Sequence, residues 1–333
     1  TNGYRERFLD CTAPAGPASA YLRVSDGCSH ACAFCSIPRM RGFYRSEPLD
    51  RLLDQARVLA ARGVKEIILI GQETTSYGVD IYGRRRIVEL CSRLSDNDGL
   101  EWIRILYAHA PTISPRLVRE LARVPKLVPY LDYPIEHASD RILRRMNRRV
   151  TAARMKDTIA AFRDVLPDAC VRSTVLVGFP GETNEDFEKL FEFVREVRFE
   201  RLGVFVYSPQ EGTAGAVLDG QVEEGIALDR LDRLMNLQRA ICREKHRSLV
   251  KRVLPVLVER SARGISWGRS AWDAPEIDGK VRIAGGVTPG QIVNVCVTRA
   301  HAYHVEAVVV AERNDLRERK LCGCSGRSAL SRP

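Results

Sequence analysis

Six short apolar runs, each followed by an amphipathic stretch, succeed one another between residues 20 and 208: AYLRV (20–24), EIILIG (66–71), WIRILYA (102–108), YLDYPI (130–135), RSTVLVGF (172–179) and LGVFVYS (202–208). Strands that alternate with helical patterns read as β–α units, and such units in series build a parallel sheet. Six units are too few to close an ordinary eight-stranded barrel, so the pattern predicts an α/β fold with an open or partial barrel. Reactive groups in such sheets gather at the C-terminal ends of the strands. The helices between them carry end signals. In SEPLDRLLDQARVLAARG, Ser46 is positioned to cap, Pro48 to start the first turn and Gly63 to stop the helix. GETNEDFEKLFEFVREV loads acids into its first turn, which suits the positive end of a helix dipole.

After the sixth unit the pattern changes. A long helical stretch, 226–250, leads into short strands broken by Gly, Pro and Asp: VLPVLVER, GRSAW, GKVRIAG, GQIVNVCVTRA and YHVEAVVV. Such a segment reads as a small antiparallel β-barrel of oligonucleotide-binding type. The expected boundaries are a core over 20–250, the barrel over 251–311 and a polar, Ser/Arg-rich disordered tail over 312–333 that includes Cys322 and Cys324. Two domains fit a chain of 333 residues. Its net charge of +10 fits an anionic partner such as RNA or a ribosome, although basic side chains also simply solvate a surface. No apolar run approaches the roughly 18 residues of a membrane helix, so no membrane partner is expected.

The ten cysteines are unevenly spread. Cys91, Cys170, Cys242 and Cys296 are isolated and read as small buried apolar residues. A disulfide framework belongs to short secreted chains, so a reducing cytoplasm is expected; the chain is expected to be a monomer. Cys28, Cys32 and Cys35 instead form a C-x3-C-x2-C array directly after the first strand. Three thiolates can hold three irons of a 4Fe-4S cluster, a cofactor that ordinarily takes four cysteines. The fourth iron is then open to a ligand. The spacing also admits a zinc site completed by His30 or a distant residue, a Cys32/Cys35 redox pair, or chance clustering. His30 reads as a local hydrogen-bonding residue.

The array Cys28-x3-Cys32-Ala33-Phe34-Cys35 resembles the signature of radical S-adenosyl-L-methionine (SAM) enzymes. That resemblance implies a partial (β/α)6 barrel, a 4Fe-4S cluster whose open iron chelates SAM, an external electron donor, and reductive cleavage of SAM to a 5′-deoxyadenosyl radical. Within the superfamily, GCSHACAFCSIPRMRG, ILIGQETTSYG, PIEHASDRILRRMNR and RSTVLVGFPGET resemble blocks of the methylthiotransferases, in the expected order. The terminal barrel resembles their TRAM domain. The triplet Gln72-Glu73-Thr74, VPYLDYPIEHAS (128–139) and GRSAWDAPEIDG (268–279) are closer to the RimO branch than to the branch acting on tRNA. Glu136 stands where glutamine is usual.

The resemblance implies addition of a methylthio group to the β-carbon of an aspartate in ribosomal protein twelve of the small subunit. A tRNA adenosine methylthiotransferase and a non-catalytic binding fragment are the alternative readings. Methylthiotransferases also have an N-terminal domain whose three cysteines hold a second 4Fe-4S cluster. Only Cys11 precedes Cys28 here, so residues 1–19 read as a linker remnant, and the second cluster is expected only in a full-length protein.

The remaining site residues follow from the same likeness. Gly178 and Gly181 would let backbone approach SAM, although turns use glycine too. Arg172 and Ser173 begin the fifth strand's block, and Arg172 can pair with a carboxylate. Gln72 would bond the amino-acid moiety of SAM or sit as a core-edge amide. His137 would face the cofactor or be a satisfied structural histidine. In the barrel, Asp273, Glu276 and Asp278 form an acidic stretch that would dock a basic ribosomal protein, or serve only as a solvated loop.

Overall fold

The computed structural model describes residues 12–166 and 168–310. The chain divides into two units, one ending at Ile241 and one starting at Cys242. Cys11 and the stretch with Cys322 and Cys324 lie outside the described residues.

The first unit opens with β1 (Thr12–Gly16) antiparallel to β2 (Ser19–Arg23). A two-residue ladder follows, β3 (Ser25–Asp26) against β4 (Arg45–Ser46). Then come β5 (Glu66–Ile70), β6 (Trp102–Ile105), β7 (Tyr130–Asp132), β8 (Cys170–Val177) and β9 (Arg201–Val206). Strand β5 pairs in parallel with β2 and β6, and β8 pairs in parallel with β7 and β9. A parallel bridge between Ile103 and Leu127, with Val128 N donating to the Ile103 carbonyl at 2.9 Å, joins the two sets. The six expected strands therefore form one partial barrel.

Two expectations change here. Residues 12–16, expected within a linker, are a strand. It has one neighbour only, an edge position where Pro14 costs no ladder hydrogen bond. Strands β6 and β7 stop earlier than their apolar runs. Tyr107 (φ 59°) and Glu136 (φ 62°) turn the chain out of extended geometry and hand the following residues to the rim.

The helix Leu49–Ala61 buries Leu49, Leu52, Leu53, Ala56 and Leu59 on one stripe. Gly63 ends it at φ 89°, as expected. Ser46 does not cap it. The Ser46 hydroxyl donates to Asp80 at 2.6 Å, because β4 has already fixed it one strand earlier.

The helix Asn184–Val197 has a capping box between Thr183 and Asp186. Burial alone would raise the Asp186 carboxyl, but hydrogen bonds from Arg141, Ser139 and Thr183 hold it far below its ordinary value of 3.8. A depressed carboxylate stabilises above its unfolded pKa, and that stability is lost as pH falls through the folded value. Asp186→Ala should thus cost about 1–2 kcal/mol at neutral pH. In thermal melts the gap to the parent should close as pH drops below 3.8.

The second unit is a closed barrel in the order β10-β11-β12-β14-β13, from β10 (Val253–Ala262), β11 (Ile265–Ser270), β12 (Lys280–Ala284), β13 (Ile292–Ala300) and β14 (His304–Val309). Alternate residues Val256 and Val258, Val281 and Ile283, and Val295 and Val297 fill it. One pairing, β12 with β14, is parallel; the other four are antiparallel.

Candidate functional site

The β3–β4 ladder closes residues 27–44 into one loop at the C-terminal end of β2, and Cys28 N donating to the Gly42 carbonyl at 3.2 Å tightens its base. Gly27 (φ 72°) is needed at that closure, since a Cβ there would lie 2.4 Å from the Phe43 carbonyl oxygen. Ala33 and Phe34 anchor the loop's middle against Ile142, Met146, Phe179 and Tyr207. Ala33 N also donates to the Met146 carbonyl at 2.9 Å. The loop thus carries three free thiols: Cys28, buried, and Cys32 and Cys35, half-buried.

Burial pushes the Cys28 thiol up to about 11 and also raises Cys35. Three free thiols on one loop fit a 4Fe-4S cluster, with a thiolate at each of three corners and the fourth iron left open.

Two side chains that sequence reasoning did not assign to the site, Arg148 and His109, lie beside Cys32, and His30, Glu73 and Glu136 stand behind them. Arg148 Nη1 lies 3.7 Å from its Sγ, and His109 Nε2 lies 3.9 Å from it. His109 stacks on His30 with ring centroids 3.8 Å apart. His30 Nε2 is 3.9 Å from Glu73 Oε2. Glu136 Oε1 lies 3.7 Å from Arg148 Nη2, which also donates to the Pro134 carbonyl at 2.7 Å. Burial, then Arg148 and His30, hold His109 well below its usual value, so its ring is neutral. Burial would raise the Glu73 carboxyl, but hydrogen bonds from His30, Ser76 and Thr75 hold it low. Burial raises Glu136, opposed by Arg148. Glu73, His109 and Glu136 each follow a parallel strand by a few residues; polar residues just past a strand run were the available signal.

The expected site residues fare differently. Gln72 Oε1 accepts from Gly27 N at 2.7 Å, so this side chain pins the cysteine loop to the end of β5. Arg172 donates to Asp132 Oδ1 at 2.8 Å, and Asp132 also accepts from Tyr107 N at 2.7 Å. The carboxylate that Arg172 meets is internal. Ser173 is fully buried and bonds the Tyr133 carbonyl at 2.8 Å, fixing the chain after β7. His137 is fully buried, accepts from Ser139 N at 2.9 Å, and has Nε2 3.6 Å from Glu182. Its ring ties two loops together.

Gly178 (φ 74°) admits the helix Glu224–Arg247, since a Cβ there would lie 2.6 Å from Ala227 Cβ. Gly181 (φ 81°) makes room for Arg145 in the same way. Gly178→Ala should therefore cost about 1–3 kcal/mol in a thermal melt through overpacking and left-handed strain.

The acidic stretch of the barrel is not a presented patch. Asp273 is buried and accepts from the Ser270 hydroxyl at 2.7 Å. Asp278 Oδ2 accepts from Ala274 N at 2.9 Å. Only Glu276 is exposed. The two aspartates staple their own loop, which is why short polar turns carry them.

A Radical SAM superfamily model matches residues 22–194, and a TRAM domain model matches residues 250–310. The chain is 43% identical over 286 residues to the ribosomal protein uS12 methylthiotransferase RimO of Thermoanaerobacter sp. (strain X514), covering 85% of this chain and 65% of that protein. With the protein of the same name from Moorella thermoacetica the identity is 43% over 309 residues, covering 89% of this chain and 71% of the relative. The chain belongs to the RimO family of radical SAM proteins. It spans about two thirds of the length of these RimO relatives. In fold, the first unit is of the kind seen in coproporphyrinogen III oxidase (HemN) from Escherichia coli, a radical SAM enzyme. That match has a TM-score of 0.52 and 18% identity, over 66% of this chain and 52% of that one.

Proposed function

We propose that this chain performs the radical SAM chemistry of a methylthiotransferase acting on ribosomal protein uS12, with the β-carbon of an aspartate as the modified atom. The observation that carries the reading is the loop of three free thiols at the C-terminal ends of parallel strands. The likeness to RimO relatives supports the substrate. A ribosomal protein as substrate goes with action in the cytoplasm and with an external electron donor. No helix among the described residues is long and apolar enough to cross a membrane.

When bound, a 4Fe-4S cluster with one open iron supplies a seat for SAM and the electron that cleaves it. Cys28, Cys32 and Cys35 would hold it as thiolates. Because burial raises Cys28 and Cys35, assembly must release their protons, and loading should be faster at alkaline pH. Arg148 offsets the negative charge gathered on Cys32. Glu73 orients His30, which by stacking holds His109 against the same sulfur. Gln72 and Gly27 keep the loop closed, and the packing of Phe34 on its underside keeps water from that flank.

Binding decides the substrate class. A radical reaction needs its target hydrogen held beside the SAM carbon, which requires macromolecular contacts. The reconstituted chain should bind purified uS12 more tightly than tRNA at the same ionic strength, and should release 5′-deoxyadenosine from SAM. Preferential binding of tRNA would overturn the uS12 assignment while leaving the radical chemistry in place.

A further inference from the structure

The hairpin joining β13 to β14 carries the sequence His301-Ala302-Tyr303-His304-Val305-Glu306. Its register places three metal-ligating side chains on one face. Ala300 pairs with Val305, and His301 N donates to the His304 carbonyl at 2.9 Å, so His301 and His304 are opposite one another. Directly opposed residues of an antiparallel pair share a face, and residues two apart on one strand do as well. His304 and Glu306 are two apart, whereas Val305 and Ala307 point into the barrel and are buried. Hence His301, His304 and Glu306 stand together on the outer face.

The donor atoms of these three residues all lie within 4.8 Å of one another. His301 Nε2 is 3.2 Å from Glu306 Oε1, close to the spacing of two ligands on one tetrahedral ion with bonds of about 2.0–2.2 Å. The His304 ring lies parallel to that of His301, with centroids 4.2 Å apart and 12° between planes. The base of the turn is fixed from behind: buried His246 donates from Nδ1 to the His301 carbonyl oxygen at 2.7 Å. Arg282 Nη1, 3.9 Å from Glu306 Oε2, holds the carboxylate's other oxygen and adds a positive charge nearby. That charge disfavours hard ions bound by charge alone and leaves the site to ions that bond imidazole covalently.

We propose that His301, His304 and Glu306 form a binding site for a divalent transition ion of the zinc class on the outer face of the second unit. Two imidazoles and a carboxylate leave the fourth tetrahedral position open to water or to a donor from another molecule. The site is independent of the cysteine loop and of the uS12 reading.

Zinc titration of the whole chain, free of affinity tags, tests this by difference. Whatever zinc the cysteine array takes up is common to parent and variant, so the His301→Gln/His304→Gln chain should bind one zinc fewer than the parent. Each single histidine variant should weaken the last equivalent by more than the roughly 10–100-fold typical of outer-shell changes. Zinc should also protect His301 and His304 of the parent from diethyl pyrocarbonate, read by peptide mass mapping, which needs no variant to fold. Equal stoichiometry in parent and double variant, or full modification of both histidines under saturating zinc, overturns the proposal.

Discussion

Cys32→Ala is expected to reduce iron uptake on anaerobic reconstitution from about four per chain to a trace, and with it all release of 5′-deoxyadenosine from SAM. Two thiolates cannot hold a cluster whose third corner has only Arg148 and His109 beside it, because one is a cation and the other a neutral imidazole 3.9 Å from the lost sulfur. Stability should hardly change. Cys32 is half-buried; its neighbours Ala33 and Phe34 do the anchoring. Cys91→Ala is the control. It lies fully buried in the core of the first unit and should leave iron content as it was. Iron and sulfide analysis beside a thermal melt separates the two cases.

Arg104→Met should destabilise the first unit by about 3–5 kcal/mol, the cost of stranding a buried carboxylate. Arg104 on β6 and Glu66 on β5 are both fully buried, with Nε 2.9 Å from Oε1. Glu66 Oε2 also accepts from Ser19 on β2 at 3.0 Å, and the guanidinium lies 4.7 Å from the centre of the Tyr130 ring on β7. One ion pair therefore connects four consecutive strands of the partial barrel. Replacing both partners with apolar residues of similar size removes the stranded charge, so Arg104→Met/Glu66→Leu should recover most of the loss. Urea denaturation read through reaction of the Cys91 thiol, which burial shields in the folded unit, isolates this unit from the other. An Arg104→Met chain as stable as its parent would show that the pair contributes nothing.

The strands were legible in the sequence because burial on both faces of a parallel sheet leaves short apolar runs, as in the IILI of β5. Strand ends were less so. Tyr107 and Glu136 adopt left-handed backbone that no periodicity announces, and both sit where the chain turns into the site. Residues 12–16 lack an apolar alternation, and their strand is set by pairing with β2. Ser46 was assigned to a helix cap by a local rule, and a contact with Asp80, distant in sequence, overrode it. At the site, spacing marks the cysteines as one array, and the resemblance to radical SAM enzymes is what implies a cluster on them. Their neighbours Arg148 and His109 come from separate loops, and only the fold brings them to one sulfur. Arg172, Ser173 and His137 bond Asp132, the Tyr133 carbonyl and Ser139, contacts that no local pattern shows. Asp273 read as surface charge because sequence does not show that Ser270 and Arg269 close over it.

The central claim is that the three-cysteine loop holds a cluster with one iron left open. Electron paramagnetic resonance of the reduced, reconstituted chain, recorded with and without SAM, tests it most directly. The account predicts a single 4Fe-4S signal that changes shape when SAM is added and disappears in Cys32→Ala. A chain that takes up one zinc and no iron, or a cluster signal indifferent to SAM, would contradict it.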